Sequence, residues 1–184
     1  PDLITFSAGG NDVLRPGSDP DAIAELFEAS VRRLRSENAT VVVFTGVDVG
    51  FSPVFRAIRG KVAIYNENVR AIAHKYDCVV VDQWGARQLQ DPRYWSVDRL
   101  HLNPLGHHTV AMLVLDALNV PHTLRPLEPE ALPAASWRQA RADELGWARE
   151  YLVPWVIRRI RHQSSGDHIT AKRPTASGFS VDES

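Results

Sequence analysis

Cysteine is nearly missing: Cys78 stands alone in 184 residues. That excludes an intramolecular disulfide framework and a cysteine-built zinc site, and favours a reducing compartment. Methionine is as scarce, with Met112 the single one, and the chain opens on Pro1 rather than on a translational start. No apolar run approaches the roughly 18 residues that a membrane-spanning helix needs, and these residues hold no signal-peptide pattern. Charge of one sign is missing too. The 21 basic and 22 acidic residues leave a formal net charge of −1, so no global field draws the chain to nucleic acid or an anionic membrane. The expectation is a cytoplasmic protein with neither a nucleic-acid partner nor an integral membrane segment. What is present is ordinary core material, 44% hydrophobic, enough for one core of usual size.

Three short runs, Leu3 to Ser7, Val41 to Thr45 and Val79 to Asp82, are continuous in apolar residues rather than alternating, as strands covered on both faces should be. Helical patterns separate them. Ser18, Asp19 and Pro20 read as a cap and a first helical position, after which Ile23, Leu26, Phe27, Val31 and Leu34 recur at helical spacing. Val62, Tyr65, Val69, Ile72, Ala73 and Tyr76 mark a second helix. A third begins at Asn103 and Pro104, runs through Val110, Met112, Leu113, Leu115 and Leu118, and is apolar enough to be largely buried. The order β, α, β, α, β, α predicts an α/β fold, a parallel sheet between layers of helices. Chemistry then belongs in the loops at the carboxyl ends of the strands. Those loops are Gly9 to Asp12, Gly46 to Pro53, and Trp84 onward.

From Pro121 the composition shifts, and Pro121, Pro126, Pro129 and Pro133 mark a connector that cannot be one continuous helix. A helix over Ser136 to Tyr151 carries Trp137, Ala140, Leu145, Ala148 and Leu152 toward one side. Beyond Pro154, the basic run VIRRIR reads as an exposed helix end, and SSGDHITAKRPTASGFSVDES as a flexible tail. The expected organisation is therefore an α/β domain over 1–120, a Pro-rich connector with C-terminal helices packing on it over 121–161, and a tail over 162–184.

Two polar clusters carry chemistry. In WSVDRLHLNPLGHH, Asp98 and His101 stand three apart just ahead of a helix start, so one turn of backbone can bring both side chains to one point. A carboxylate that accepts the Nδ1 proton of a histidine fixes its tautomer and leaves Nε2 to take a proton from a nucleophile. In GGND, the Asn11 amide and neighbouring backbone N–H groups could hold the oxygen that gains charge when an acyl carbonyl turns tetrahedral. Glycine and asparagine are also ordinary turn formers, and the pairing with the Asp98–His101 cluster is what raises GGND above that. His107 and His108 invite a metal reading, but adjacent helical residues point to different faces, so His107 is expected to cap or pack. Of the five tryptophans, only Trp95 is near this cluster in sequence.

Together GGND and DRLH resemble the third and fifth sequence blocks of the SGNH, or GDSL-type, esterase and lipase family. SPVFRAIRGKVAIYNENVRAIA and the tail segment SSGDHITAKRP resemble its actinobacterial branch. The resemblance implies a flavodoxin-like SGNH hydrolase fold and an activity on carboxylic esters with no metal or organic cofactor. The implied substrate is a small-molecule, lipid or acylated-carbohydrate ester. It further implies that Asn11 donates to the oxyanion, His101 is the general base, Asp98 orients it and Asp12 braces the loop. The family's nucleophilic serine lies in a Gly-Asp-Ser block that these residues do not contain. Ser7 and Ser52 lack that context and any Gly-x-Ser-x-Gly elbow. The expectation is an N-terminally truncated domain beginning at the family's third strand, whose open edge invites self-association. The alternative is a non-catalytic α/β binding module or inactive fragment.

Overall fold

A computed structural model describes residues 1–35, 38–131, 136–161, 169–170 and 175. It divides into two compact units, Pro1–Ala134 and Ala135–Ser184. In the first, β1 (Leu3–Phe6), β2 (Thr40–Phe44) and β3 (Val79–Val81) form one sheet in the order β1-β2-β3, with both pairings parallel. The register sets Ile4 beside Val41 and Phe6 beside Val43, and Val43 beside Val80. These five share one face by the alternation of a strand.

That face is covered by α2 (Pro20–Arg35) and α3 (Arg59–Lys75). The Asp19 carboxylate accepts from the Asp21 N–H at 3.0 Å and caps α2, while Pro20 needs no backbone donor there. Phe27 and Val31 of α2 meet Val62, Tyr65, Val69, Ile72 and Ala73 of α3 over the sheet in a single core cluster. Phe27 lies edge-on to Tyr65, ring centres 6.1 Å apart, and 5.0 Å from Phe6. Leu26 does not join them: it is 73% exposed, because the stripe that faces the sheet runs through Ile23, Phe27, Val31 and Leu34.

The helix α4 (Pro104–Ala117) touches β3 and belongs to a second cluster built on Leu89, Ala86 and Tyr94, completing an α/β/α arrangement. It is less buried than its apolar sequence predicts. Only Gly106 and Thr109 are buried, and Met112, Leu113, Val114 and Leu115 are each partly exposed. The sheet has three strands in the described residues, and β1 is paired on one side only, so this face offers α4 little to bury against.

Gly10–Val13 is a helical turn, α1, rather than the irregular loop expected of GGND. The Pro-rich connector up to Ala134 clusters with the first unit. The second unit holds α5 (Trp137–Trp147), a π-helical turn at Ala148–Leu152, and α6 (Val153–Ile160). Pro154 therefore does not end this helical region. It is the second residue of α6, which directly follows the π-helical turn. Trp137 and Leu145, which the sequence sets toward one side of this helix, are 70% and 68% exposed. Pro133, the side chain of Ala140 and most of the tail lie outside the described residues. No described helix is long and apolar enough to cross a membrane.

The contrast inside α2 is testable. Phe27→Ala should lower unfolding stability by about 3–5 kcal/mol in urea titrations, and Leu26→Ala by no more than about 0.5 kcal/mol. Equal losses would refute this packing.

Candidate active site

Because the strands are parallel, the segments after β1 and β3 leave the sheet at the same end, separated by β2 and about 10 Å of strand spacing. After β3 the chain is pinned at once. Asp82 accepts from the Thr45 hydroxyl at 3.0 Å, and the same hydroxyl accepts from the Trp84 N–H at 3.1 Å. Two short 3-10 turns follow, Arg87–Gln90 and Pro92–Tyr94, the second capped by Asp91.

A small hairpin then carries Asp98 and His101. Trp95 and Leu102 form an antiparallel bridge at its base, and the Ser96 N–H donates to the His101 carbonyl at 2.8 Å. The Trp95 indole N–H donates to the Leu89 carbonyl at 2.8 Å. Asn103 closes the base. Its Oδ1 caps α4 through the Gly106 N–H, and its Nδ2 donates to the carbonyls of Arg93 and Trp95. Gly106 lets α4 approach, since a Cβ there would sit 2.5 Å from the Tyr94 carbonyl oxygen.

At the tip, each Asp98 oxygen has its own task. Oδ1 accepts from the Leu100 and His101 backbone N–H groups, both at 3.0 Å, and Oδ2 lies 2.6 Å from His101 Nδ1. One carboxylate thus shapes the turn that presents the histidine and holds the ring it presents. Arg99, between them, takes the left-handed φ of 55° that the tight turn requires. The His101 side chain is 72% exposed, with Nδ1 engaged by Asp98. Partial burial pushes the Asp98 carboxyl up, but the His101 ring and the two backbone donors outweigh it and hold its pKa below the ordinary aspartate value.

On the other side of β2, Gly9 caps α1 at φ 79°, and its carbonyl accepts from the Asp12 and Val13 N–H groups, both at 3.0 Å. Asn11 follows with its side chain exposed. Asp12 Oδ1 faces Arg15 Nη1 at 3.6 Å. The structure thus joins Asp98 to His101 directly, and sets Asn11 on the turn two strands away at the same end of the sheet. A groove of about 470 Å³ beside β1 and α2 has Gly9 and Asp12 on its rim and Phe6, Ile23 and Phe27 among its walls, but neither Asp98 nor His101 lines it.

Between the two halves runs the segment after β2. Asp48 is buried and accepts from Arg59 at 2.6 and 2.8 Å and from the Gly50 N–H at 2.9 Å. The Arg59 guanidinium holds its carboxyl below the usual range despite partial burial. Phe51 lies against Trp95, ring centres 5.8 Å apart, so this segment braces the His101 hairpin. Sequence reasoning missed Asp48, Arg59 and Phe51. It also missed Asn66, a buried amide whose signal was visible: a polar residue on the apolar stripe of α3.

Other candidates fall elsewhere. His107 is exposed, so it does not pack, and His108 Nε2 lies 2.8 Å from the Arg125 carbonyl. No group of three metal-ligating side chains occurs among the described residues. Ser7 follows the end of β1, and the Ser52 hydroxyl accepts from the Phe55 N–H at 3.2 Å.

The profile of the GDSL-like lipase/acylhydrolase family matches residues 1–109, more than half of the chain. The chain belongs to this family. Among solved structures it is similar to LAE5, an α/β hydrolase enzyme from the metagenome of Lake Arreo, Spain (26% identity, TM-score 0.57, 67% of this chain). The chain spans 62% of the length of that protein. It is also similar in fold to the acetyl xylan esterase AlAXEase (23% identity, TM-score 0.53, 64% of this chain and 67% of that one). No curated protein sequence matches. GGND and DRLH both fall within the matched residues 1–109. Both stand at the carboxyl end of this sheet.

Two outcomes test the hairpin. Asn103→Ala removes a cap and two further hydrogen bonds and should cost about 2 kcal/mol in urea unfolding. An NMR titration should place the Asp98 midpoint below that of an unperturbed aspartate. With a depressed folded value, this carboxylate's stabilisation is present above the unfolded pKa and is lost as pH falls through the folded one. A midpoint at or above the ordinary aspartate value would contradict the bonding described.

Proposed function

We propose that the intact protein is a serine hydrolase of carboxylic esters, and that its nucleophile lies upstream of Pro1. The observation that carries this reading is the 2.6 Å contact between Asp98 Oδ2 and His101 Nδ1. In the proposed reaction His101 Nε2 takes the serine proton as the hydroxyl oxygen attacks the ester carbonyl. The carbonyl oxygen becomes an oxyanion facing the Asn11 amide and nearby backbone N–H groups. The intermediate collapses, the alcohol leaves with the proton from His101, and water cleaves the acyl-enzyme by the same steps. The sequence of bonds balances with no further reagent. Substrates of this reading are small-molecule, lipid or acylated-carbohydrate esters.

His101→Ala in the full-length gene product should lower kcat for p-nitrophenyl acetate about a thousandfold or more. Near wild-type turnover would reject the assignment. The 184-residue chain alone should hydrolyse the ester no faster than its own His101→Ala variant. It should also self-associate through the one-sided β1 edge, read by light scattering. A monodisperse, active monomer would overturn the upstream nucleophile, and fluorophosphonate labelling with peptide mapping would then locate an internal serine.

A further inference from the structure

The turn that carries Asn11 is held from beneath by one side chain of α3. Tyr65 is 3% exposed, and its hydroxyl donates to the Ala8 carbonyl at 3.1 Å. Gly9 follows at φ 79°, and any Cβ added there would collide with the Tyr65 phenol. Phenol and glycine therefore fill each other's space. Ala8 and Gly9 share a peptide plane, so the bond to the Ala8 oxygen also fixes where the Gly9 N–H points. The Gly9 carbonyl in turn caps α1, and the direction of Asn11 follows from it.

We propose that Tyr65 is a positioning residue that aims Asn11 and the neighbouring backbone donors at the reacting carbonyl. The proposal rests on the reading of Asn11 as oxyanion donor. Burial, with the charge of Asp12 second, pushes the phenol well above its ordinary pKa, so it remains a neutral donor at any working pH. The next residue repeats the device on the neighbouring strand. Asn66, 1% exposed, accepts from the Gly46 N–H at 2.7 Å and donates to the Gly46 carbonyl at 2.9 Å. Consecutive residues of one rigid helix thus fix the carboxyl ends of β1 and β2. Phenylalanine would fill the Tyr65 site without a hydroxyl to desolvate, so packing alone does not call for the hydroxyl.

The test is Tyr65→Phe in the full-length gene product, which deletes one atom and keeps the ring. With p-nitrophenyl acetate, kcat should fall about tenfold with KM within about twofold, as expected for one misaimed donor. Tyr76→Phe, which removes a hydroxyl bonded to Glu28 at the far end of α3, should leave both unchanged. Amide exchange by NMR should quicken at Asp12 and Val13 but not at Val69 and Ala73 in the C-terminal half of α3. Unchanged exchange at Asp12 and Val13 overturns the proposal, whatever the activity. Faster exchange with unchanged kcat overturns it too, because the aim of the turn would then not matter to turnover. If the wild-type gene product hydrolyses no ester and takes no fluorophosphonate label, the hydrolase reading fails, and the catalytic role of Tyr65 fails with it. The exchange result still decides whether Tyr65 holds the turn.

Discussion

All three strands run the same way, and the rest of the site depends on that constraint. A parallel sheet cannot return its chain through a short hairpin, so α2 and α3 must carry it back across one face. Each new strand then delivers its loop to the same end. The polar turns that would be scattered in an antiparallel meander are gathered here along one edge. Glycines and a buried asparagine close those turns at little steric cost: Gly9 takes a left-handed φ, and the backbone groups of Gly46 are met by Asn66.

The edge would be loose if its loops were held only by their own hydrogen bonds. Instead, α3 acts as a common mount. Arg59 at its start ties Asp48 and lies over the Trp84 ring at 5.3 Å, Tyr65 and Asn66 tie the ends of β1 and β2, and Arg70 reaches Asp82 at 2.8 Å after β3. Four residues of one helix thus touch three successive loops. Burial decides their weight. The Arg70–Asp82 pair is partly exposed and worth little by itself. The Asn66 amide is buried and bonded through both its oxygen and its nitrogen, and losing it would leave two backbone groups of Gly46 without these partners.

Much of this was legible in the sequence, and the gaps have physical causes. The runs Val41 to Thr45 and Val79 to Asp82 read as covered strands because parallel strands offer no wet face. Asp98 and His101 were legible because their spacing sits before a strong helix start, Asn103 and Pro104. Leu26 was misassigned because a helical repeat allows either neighbour of Phe27 to share its stripe, and only tertiary packing chooses. The burial of α4 was overestimated because hydropathy reports what a helix would bury, not what the described sheet provides. GGND hid a helical turn, since α1 starts at Gly9 with no side-chain cap to signal it, and its first bonds run from the Asp12 and Val13 N–H groups to the Gly9 carbonyl. The bracing of the His101 hairpin by Phe51 was invisible because the two residues are distant in sequence and meet only through the fold.

The Asp98–His101 contact has no adequate account in stability. Its histidine is mostly in water, where such a pair contributes at most about 1 kcal/mol. The hairpin that carries it is secured independently by the Trp95–Leu102 bridge, the three bonds of the Asn103 side chain and the close approach of Gly106. Arg99 meanwhile holds a conformation that costs a non-glycine residue on the order of 1 kcal/mol. The tip is therefore a place where local strain and an exposed pair are sustained by rigid surroundings, an arrangement that packing does not call for and that fits the proposed role of His101 as an oriented base.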